Sequence, residues 1–144
     1  MTKSYEGSAQ QYEAVCEANV MVPMRDGTRL ATDLYFPAVA GQRATGPFPT
    51  ILERTPYDKA SASNVQTGQY FARRGYVCAI QDVRGRFGSE GEWYPFAKEA
   101  PDGYDTVEWL AGLPYCDGNV GTFGTSYSAW VRVSRIVTRS AHSG

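Results

Sequence analysis

The chain has 144 residues, 42% hydrophobic and 20% charged, with a formal net charge of -1. That is one domain's worth of polypeptide, long enough to bury a core, and its near-neutral balance excludes a general nucleic-acid or anionic-membrane binder, which would be clearly basic. No run approaches the roughly 20 apolar residues of a membrane span, and "MTKSYEGSAQQYEAV" lacks the apolar centre of a signal peptide, so a cytoplasmic location is expected.

Residues 1–18 read as a polar lead-in. "ANVMVPMRDGTRLATDLYFP" then gives two β-rich runs around Arg25-Asp26-Gly27, a hairpin signal in which Asp-Gly supplies the positive φ of a tight reversal. A Gly/Pro/Ala loop follows, and "TILERT" is a short strand ended by Pro56. Val65, Tyr70 and Phe71 stand near helical spacing in "NVQTGQYFARR", and Gly75 is the residue expected just past a helix end. "YVCAIQDV" is a near-continuous apolar run, as in a parallel strand covered on both faces.

"RGRFGSEGEWYPFAKEAP" reads as a long glycine-rich loop, the kind that carries function in compact domains. Asp82, at the end of the preceding strand, and Arg84 are expected to pair and pin the loop, while Glu90 and Glu92 face solvent or cap it. Carboxylates this close together on a loop are more often solvated than an acid/base couple. Val107, Leu110 and Leu113 mark a second helix from Asp102, "LPYCDG" a turn, and "NVGTF" a strand leading into a sharp turn and a further helix. Strands alternating with helices imply βαβ units and a parallel sheet. Cys16, Cys78 and Cys116 are odd in number and lack a C-x-x-C pair, and there is a single histidine, so neither a disulfide framework nor a metal site is expected. No cofactor is expected either; a phosphate cradle at Gly118, Gly121 and Gly124 lacks the Gly-Lys-Ser/Thr that would follow.

"GTSYS", residues 124–128, differs by one position from the G-x-S-x-G nucleophile elbow. Such an elbow lifts a serine above the sheet on a strand-to-helix turn, and small residues two before and two after let the backbones approach. Gly124 and Ser128 fill those places around Ser126, the candidate nucleophile. The N–H of Tyr127, at the start of the expected helix, is the oxyanion donor this geometry nominates.

Four segments, "MRDGTRLATDLYFP", "RTPYDK", "QDVRGRFGSEGEW" and "YCDGNVGTFGTSYS", together resemble the X-Pro dipeptidyl-peptidase and cocaine-esterase (CocE/NonD) group of serine hydrolases, in the same order, over roughly residues 19–130. The resemblance implies an α/β-hydrolase-type, mostly parallel sheet, here its N-terminal half: a hairpin, then βαβαβ ending at the elbow. It implies hydrolysis of an ester or amide, X-Pro peptides included, through an acyl-enzyme. Ser126 would be the nucleophile, Tyr127 N–H one oxyanion donor and the Tyr57 hydroxyl the other; without the resemblance Tyr57 reads as an exposed loop tyrosine.

After Ser126 there is no Asp and no Glu, whereas in this fold the triad runs Ser, acid, His. His142, if a helix joined it to Ser126, would lie on the order of 24 Å away, and it reads as a solvated tail residue. Residues 131–144, with Arg132, Arg135 and Arg139 at helical spacing, form an atypical basic tail. The expectation is therefore a truncated fragment, 19–130 being a partial catalytic domain, with negligible turnover of its own on a small ester or peptide. A non-catalytic binding or assembly module is the alternative. An exposed sheet edge would favour a homo-oligomer.

Overall fold

The computed structural model describes residues 10–55, 57–91, 99–123 and 129–132. Strands β1 (Glu13–Pro23) and β2 (Arg29–Val39) form the expected hairpin, with Val22 opposite Leu30 and Pro23 opposite Arg29. Gly27 takes φ 87°, and the Asp26 carboxylate accepts the Thr28 N–H at 3.0 Å, which closes the reversal. β1 begins at Glu13, inside the stretch assigned by composition to the lead-in. Its first half, EAVCEA, is largely exposed and its apolar residues run together without alternating with polar ones, so period-2 patterning carries no strand signal there.

The two-residue β3 (Gln42–Arg43) pairs with the end of β2. From β4 (Phe48–Thr55) the chain runs through α1 (Ala62–Ala72), β5 (Val77–Asp82), α2 (Glu99–Ala111) and β6 (Cys116–Phe123), the expected βαβαβ. With a last strand β7 (Ala129–Arg132), the sheet order is β1-β2-β5-β4-β6-β7; β5, β4 and β6 are mutually parallel, and β1, β2 and β7 pair antiparallel on either side. α1 returns the chain to one side of β4 and α2 to the other, which puts the helices on opposite faces if both crossovers take the usual right hand.

Residue alternation confirms the two faces. Leu34, Leu52, Val77, Ala79 and Val120 pack with Leu110 of α2, while Tyr35, Ile51, Cys78 and Ile80 pack with Ala72 of α1. All six residues of β5 are buried, as its unbroken apolar run requires. On α1 the buried stripe is Asn64, Gly68 and Ala72, and Tyr70 is exposed. The small face is what fits: a Cβ on Gly68 would come within 2.7 Å of Cγ of Tyr35, so the helix sits close to the sheet because residue 68 has no side chain.

Two expectations are corrected. Of the "LPYCDG" turn, residues 113–115 turn as expected, but Cys116–Gly118 belong to β6, whose register against β4 slips between the Phe48–Cys116 and Thr50–Val120 pairs; Gly118 at φ 93° absorbs the extra residues as a bulge. Beyond the elbow, residues 129–132 are a strand, β7 (Ala129–Arg132), antiparallel to β6 with Val120 opposite Val131, and not a helix. The segment carries Trp130 and the β-branched Val131, which favour a pleated strand, and pairing there satisfies an edge of β6 that would otherwise stand open.

Candidate active site

In parallel sheets of this kind, sites form beyond the carboxyl ends of the strands. Three strands end at that edge here: β4, followed by residues 57–61, β5, followed by residues 83–91, and β6, which ends at Phe123. β4 lies between the other two, and its Glu53 pairs in register with Ile80 of β5 and Phe123 of β6.

The connection after β4 is held mostly by its backbone. Thr55 Oγ1 accepts the Tyr57 N–H at 2.9 Å, and Thr55 O accepts Val83 N–H at 3.0 Å. Asp58 adopts φ 70°, its carboxylate accepting Ala60 N–H at 3.0 Å and its carbonyl accepting Ser61 N–H at 3.0 Å. Ser61 then caps α1 by accepting Asn64 N–H. Tyr57 stands 70% exposed at this edge.

Lys59, two residues on, is only 5% exposed. Its backbone N–H donates to Asp82 Oδ1 at 2.8 Å, and its Nζ reaches Asp33 Oδ1 at 2.9 Å and Asn19 Oδ1 at 2.8 Å. Asn19 sits at φ 58° in a bulge of β1, between Glu17 and Val20, and its own N–H donates to Asp33 at 2.9 Å. Burial pushes the Asp82 carboxyl above the usual carboxylate range, opposed by the N–H groups of Lys59 and Gly88.

The loop after β5 is pinned by other pairs than expected. Arg84 does not take Asp82; it binds Asp102 of α2 at 2.9 and 2.8 Å and Asp26 of the hairpin turn at 3.0 Å. Asp82 is already engaged by two backbone donors, Lys59 N–H and Gly88 N–H, so it needs no guanidinium. Glu90 pairs with Arg29 at 2.6 Å at the surface, in keeping with a structural carboxylate. Phe87 is held at φ 49° with its ring 58% exposed.

Of the residues expected to act, Tyr57 is placed at the strand-end edge. Ser126 and Tyr127 lie outside the described residues, as do Glu92 and His142. Lys59, Asn19 and Asp33 were not singled out from the sequence. "DK" after the tyrosine was the one available signal, and nothing local marks the bulge. Among the described residues no three His, Cys, Asp or Glu side chains gather as metal ligands, and no helix is long and apolar enough to cross a membrane. Cys78 is fully buried, and that burial raises its thiol pKa, so it packs as a small hydrophobe.

A hairpin feeding a βαβαβ sheet, with its loops gathered at one strand-end edge, is the α/β-hydrolase architecture. Residues 26–142 match the X-Pro dipeptidyl-peptidase (S15) family, and the chain belongs to it. It is 50% identical over 114 residues to cocaine esterase from Rhodococcus sp. (strain MB1 Bresler), covering 76% of this chain and 19% of that protein. It resembles an α-amino acid ester hydrolase at 30% identity, with a TM-score of 0.63 over 87% of this chain and 24% of the other. A CocE/NonD family hydrolase from Staphylococcus aureus is similar at 26% identity and a TM-score of 0.67, over 78% and 23% of the two chains. The chain thus spans about a fifth of the length of the curated relatives it matches. The family model is that of X-Pro dipeptidyl-peptidases, and the curated relatives are named as esterases.

Proposed function

We propose that this chain carries the nucleophile and the oxyanion-binding groups of a serine acyl hydrolase. Its substrate is a small ester or an amide, the ester being favoured by the 50% identity to an esterase. The observation that carries the reading is the adjacency of β4 and β6. Glu53 and Phe123 pair side by side, β4 leads on to an exposed Tyr57, and "GTSYS" begins at the residue after Phe123.

In this reading Ser126 Oγ attacks the substrate carbonyl carbon and the carbonyl π electrons move onto oxygen. The Tyr127 N–H and the Tyr57 hydroxyl donate to that developing oxyanion. A general base takes the Ser126 hydroxyl proton and passes it to the departing alcohol or amine as the intermediate collapses to an acyl-Ser126; water then attacks the acyl carbon, one of its protons returning to Ser126 Oγ as the acid is released. No Asp or Glu follows Ser126, and the single histidine is His142. No triad acid or base is assigned among these residues, and residues 1–144 alone are expected to turn over negligibly.

The test is hydrolysis of a p-nitrophenyl ester by the protein as its gene encodes it. Ser126→Ala should cost about 10⁴-fold or more in kcat, and Tyr57→Phe about 10²- to 10³-fold, the loss typical of one oxyanion donor. Undiminished hydrolysis by the Ser126→Ala variant would refute the assignment.

A further inference from the structure

We propose that Lys59 is a positioning residue for Tyr57. With Asp33 of β2 and the bulge residue Asn19 of β1 it forms a buried clamp that fixes the loop from which the tyrosine hydroxyl is presented. The inference rests on the reading of Tyr57 as an oxyanion donor.

Tyr57 is 70% exposed, so packing around its ring does little to orient it, and its placement depends on the backbone to either side. On the N-terminal side the anchors are Thr55 Oγ1 and the β4 ladder. On the C-terminal side they are those of Lys59: N–H to Asp82 at 2.8 Å, and Nζ to Asp33 at 2.9 Å and Asn19 at 2.8 Å. One residue thereby ties the loop to β5, β2 and β1. Asp58, between Tyr57 and Lys59, turns the loop at φ 70°, a left-handed conformation that Asp tolerates and that its own carboxylate supports by accepting Ala60 N–H at 3.0 Å.

Stability alone does not account for the pair. The Lys59 and Asp33 side chains are each 7% exposed, and an ion pair so buried contributes about as much to folding as an apolar pair of the same volume, or less. What a charged pair adds over an apolar one is a defined geometry. The β1 bulge has the same effect, since it breaks the ladder and turns the Asn19 amide to Nζ.

The experiment measures p-nitrophenyl ester hydrolysis and thermal unfolding of the protein as its gene encodes it. The variants are Lys59→Met, Asp33→Asn/Lys59→Met and each of these combined with Tyr57→Phe. The double substitution removes both charges and retains an acceptor for the Asn19 N–H, so it keeps the fold testable if Lys59→Met alone unfolds. Expected is a fall in kcat of about 10- to 100-fold, the range for a misplaced catalytic group, with KM within about twofold. In the Tyr57→Phe background the same changes should cost no more than about twofold further, because the group they position is gone. A folded Asp33→Asn/Lys59→Met variant with parental kcat would overturn the inference, as would an equal loss in both backgrounds. If Tyr57→Phe is impaired in those cases, the oxyanion reading stands without the clamp. A fully active Tyr57→Phe enzyme would end both.

Discussion

Arg84 grips both carboxylate oxygens of Asp102, at 2.9 and 2.8 Å, with its side chain 12% and that of Asp102 3% exposed. Because the same guanidinium also holds Asp26 at 3.0 Å, it joins the loop after β5 to the β1–β2 turn and the start of α2. Arg84→Met would leave the Asp102 carboxylate buried without its counter-charge. A loss of about 3–5 kcal/mol is expected in urea unfolding, the usual result of removing one partner of a buried pair. Arg84→Lys should recover only part of it, since an ammonium cannot match the two-pronged geometry. A Met variant within about 1 kcal/mol of the parent would mean that the pair is better solvated than the structure indicates.

The close seat of α1 on the sheet gives a second expectation. Alanine normally gains about 1 kcal/mol over glycine inside a helix, yet at position 68 the added methyl would overlap the ring of Tyr35, which is 4% exposed and has no room to withdraw. Gly68→Ala should therefore lose about 1–3 kcal/mol, as overpacked cores do. Thermal unfolding decides it, and a raised midpoint would show that the helix can shift outward.

Much of this architecture was legible in the sequence, and the exceptions share a cause. The Asp-Gly turn, the apolar β5 and Gly75 past α1 each carry a local signature, and each stands where expected. The buried face of α1 showed only in part: Phe71 packs against the Tyr35–Ile80 side of the sheet, but the buried positions are Asn64, Gly68 and Ala72, and the conspicuous Tyr70 points outward. Neither did the Lys59 clamp, whose partners lie 40 and 26 positions away and meet it only through sheet order. The wrong helix after the elbow came from extending the elbow pattern past residues whose own preference is for strand.

Acid should weaken the fold in a defined window. The Thr28 N–H and then the Arg84 guanidinium hold the Asp26 carboxyl at about 2, below its ordinary 3.8. Hydrogen bonds from Arg25 lower Asp105, and those from Arg29 lower Glu90. Groups whose folded pKa lies below the unfolded one stabilise fully above the unfolded value and lose that contribution as pH falls through the folded value. Stability should hold above about pH 5 and decline between about pH 5 and 2. Asp26→Asn should flatten the lower part of that decline in urea titrations run across the range. An unchanged slope would count against the Asp26 assignment.

Glu53 has the opposite sign. Burial raises its carboxyl above the ordinary 4.5, and its Oε1 has no hydrogen-bond partner among the described residues. The ionised form is disfavoured in the folded chain, so this residue lowers stability as pH rises past its unfolded pKa. Glu53→Val, suited to a strand and in register with Ile80, should gain about 1 kcal/mol at pH 7 by removing an unsatisfied buried group. The gain should shrink at low pH, where the parent is protonated and only a neutral unpaired carboxyl is removed; a destabilised variant at pH 7 would reveal a partner for Glu53.

The central claim is that Ser126 takes the acyl group, and trapping the covalent intermediate tests it most directly. The protein as its gene encodes it is incubated with a fluorophosphonate, digested, and its peptides weighed. One stoichiometric adduct on the peptide containing Ser126 is expected, absent from Ser126→Ala and slowed by Tyr57→Phe. Full ester hydrolysis that survives the reagent with Ser126 unmodified would contradict the account.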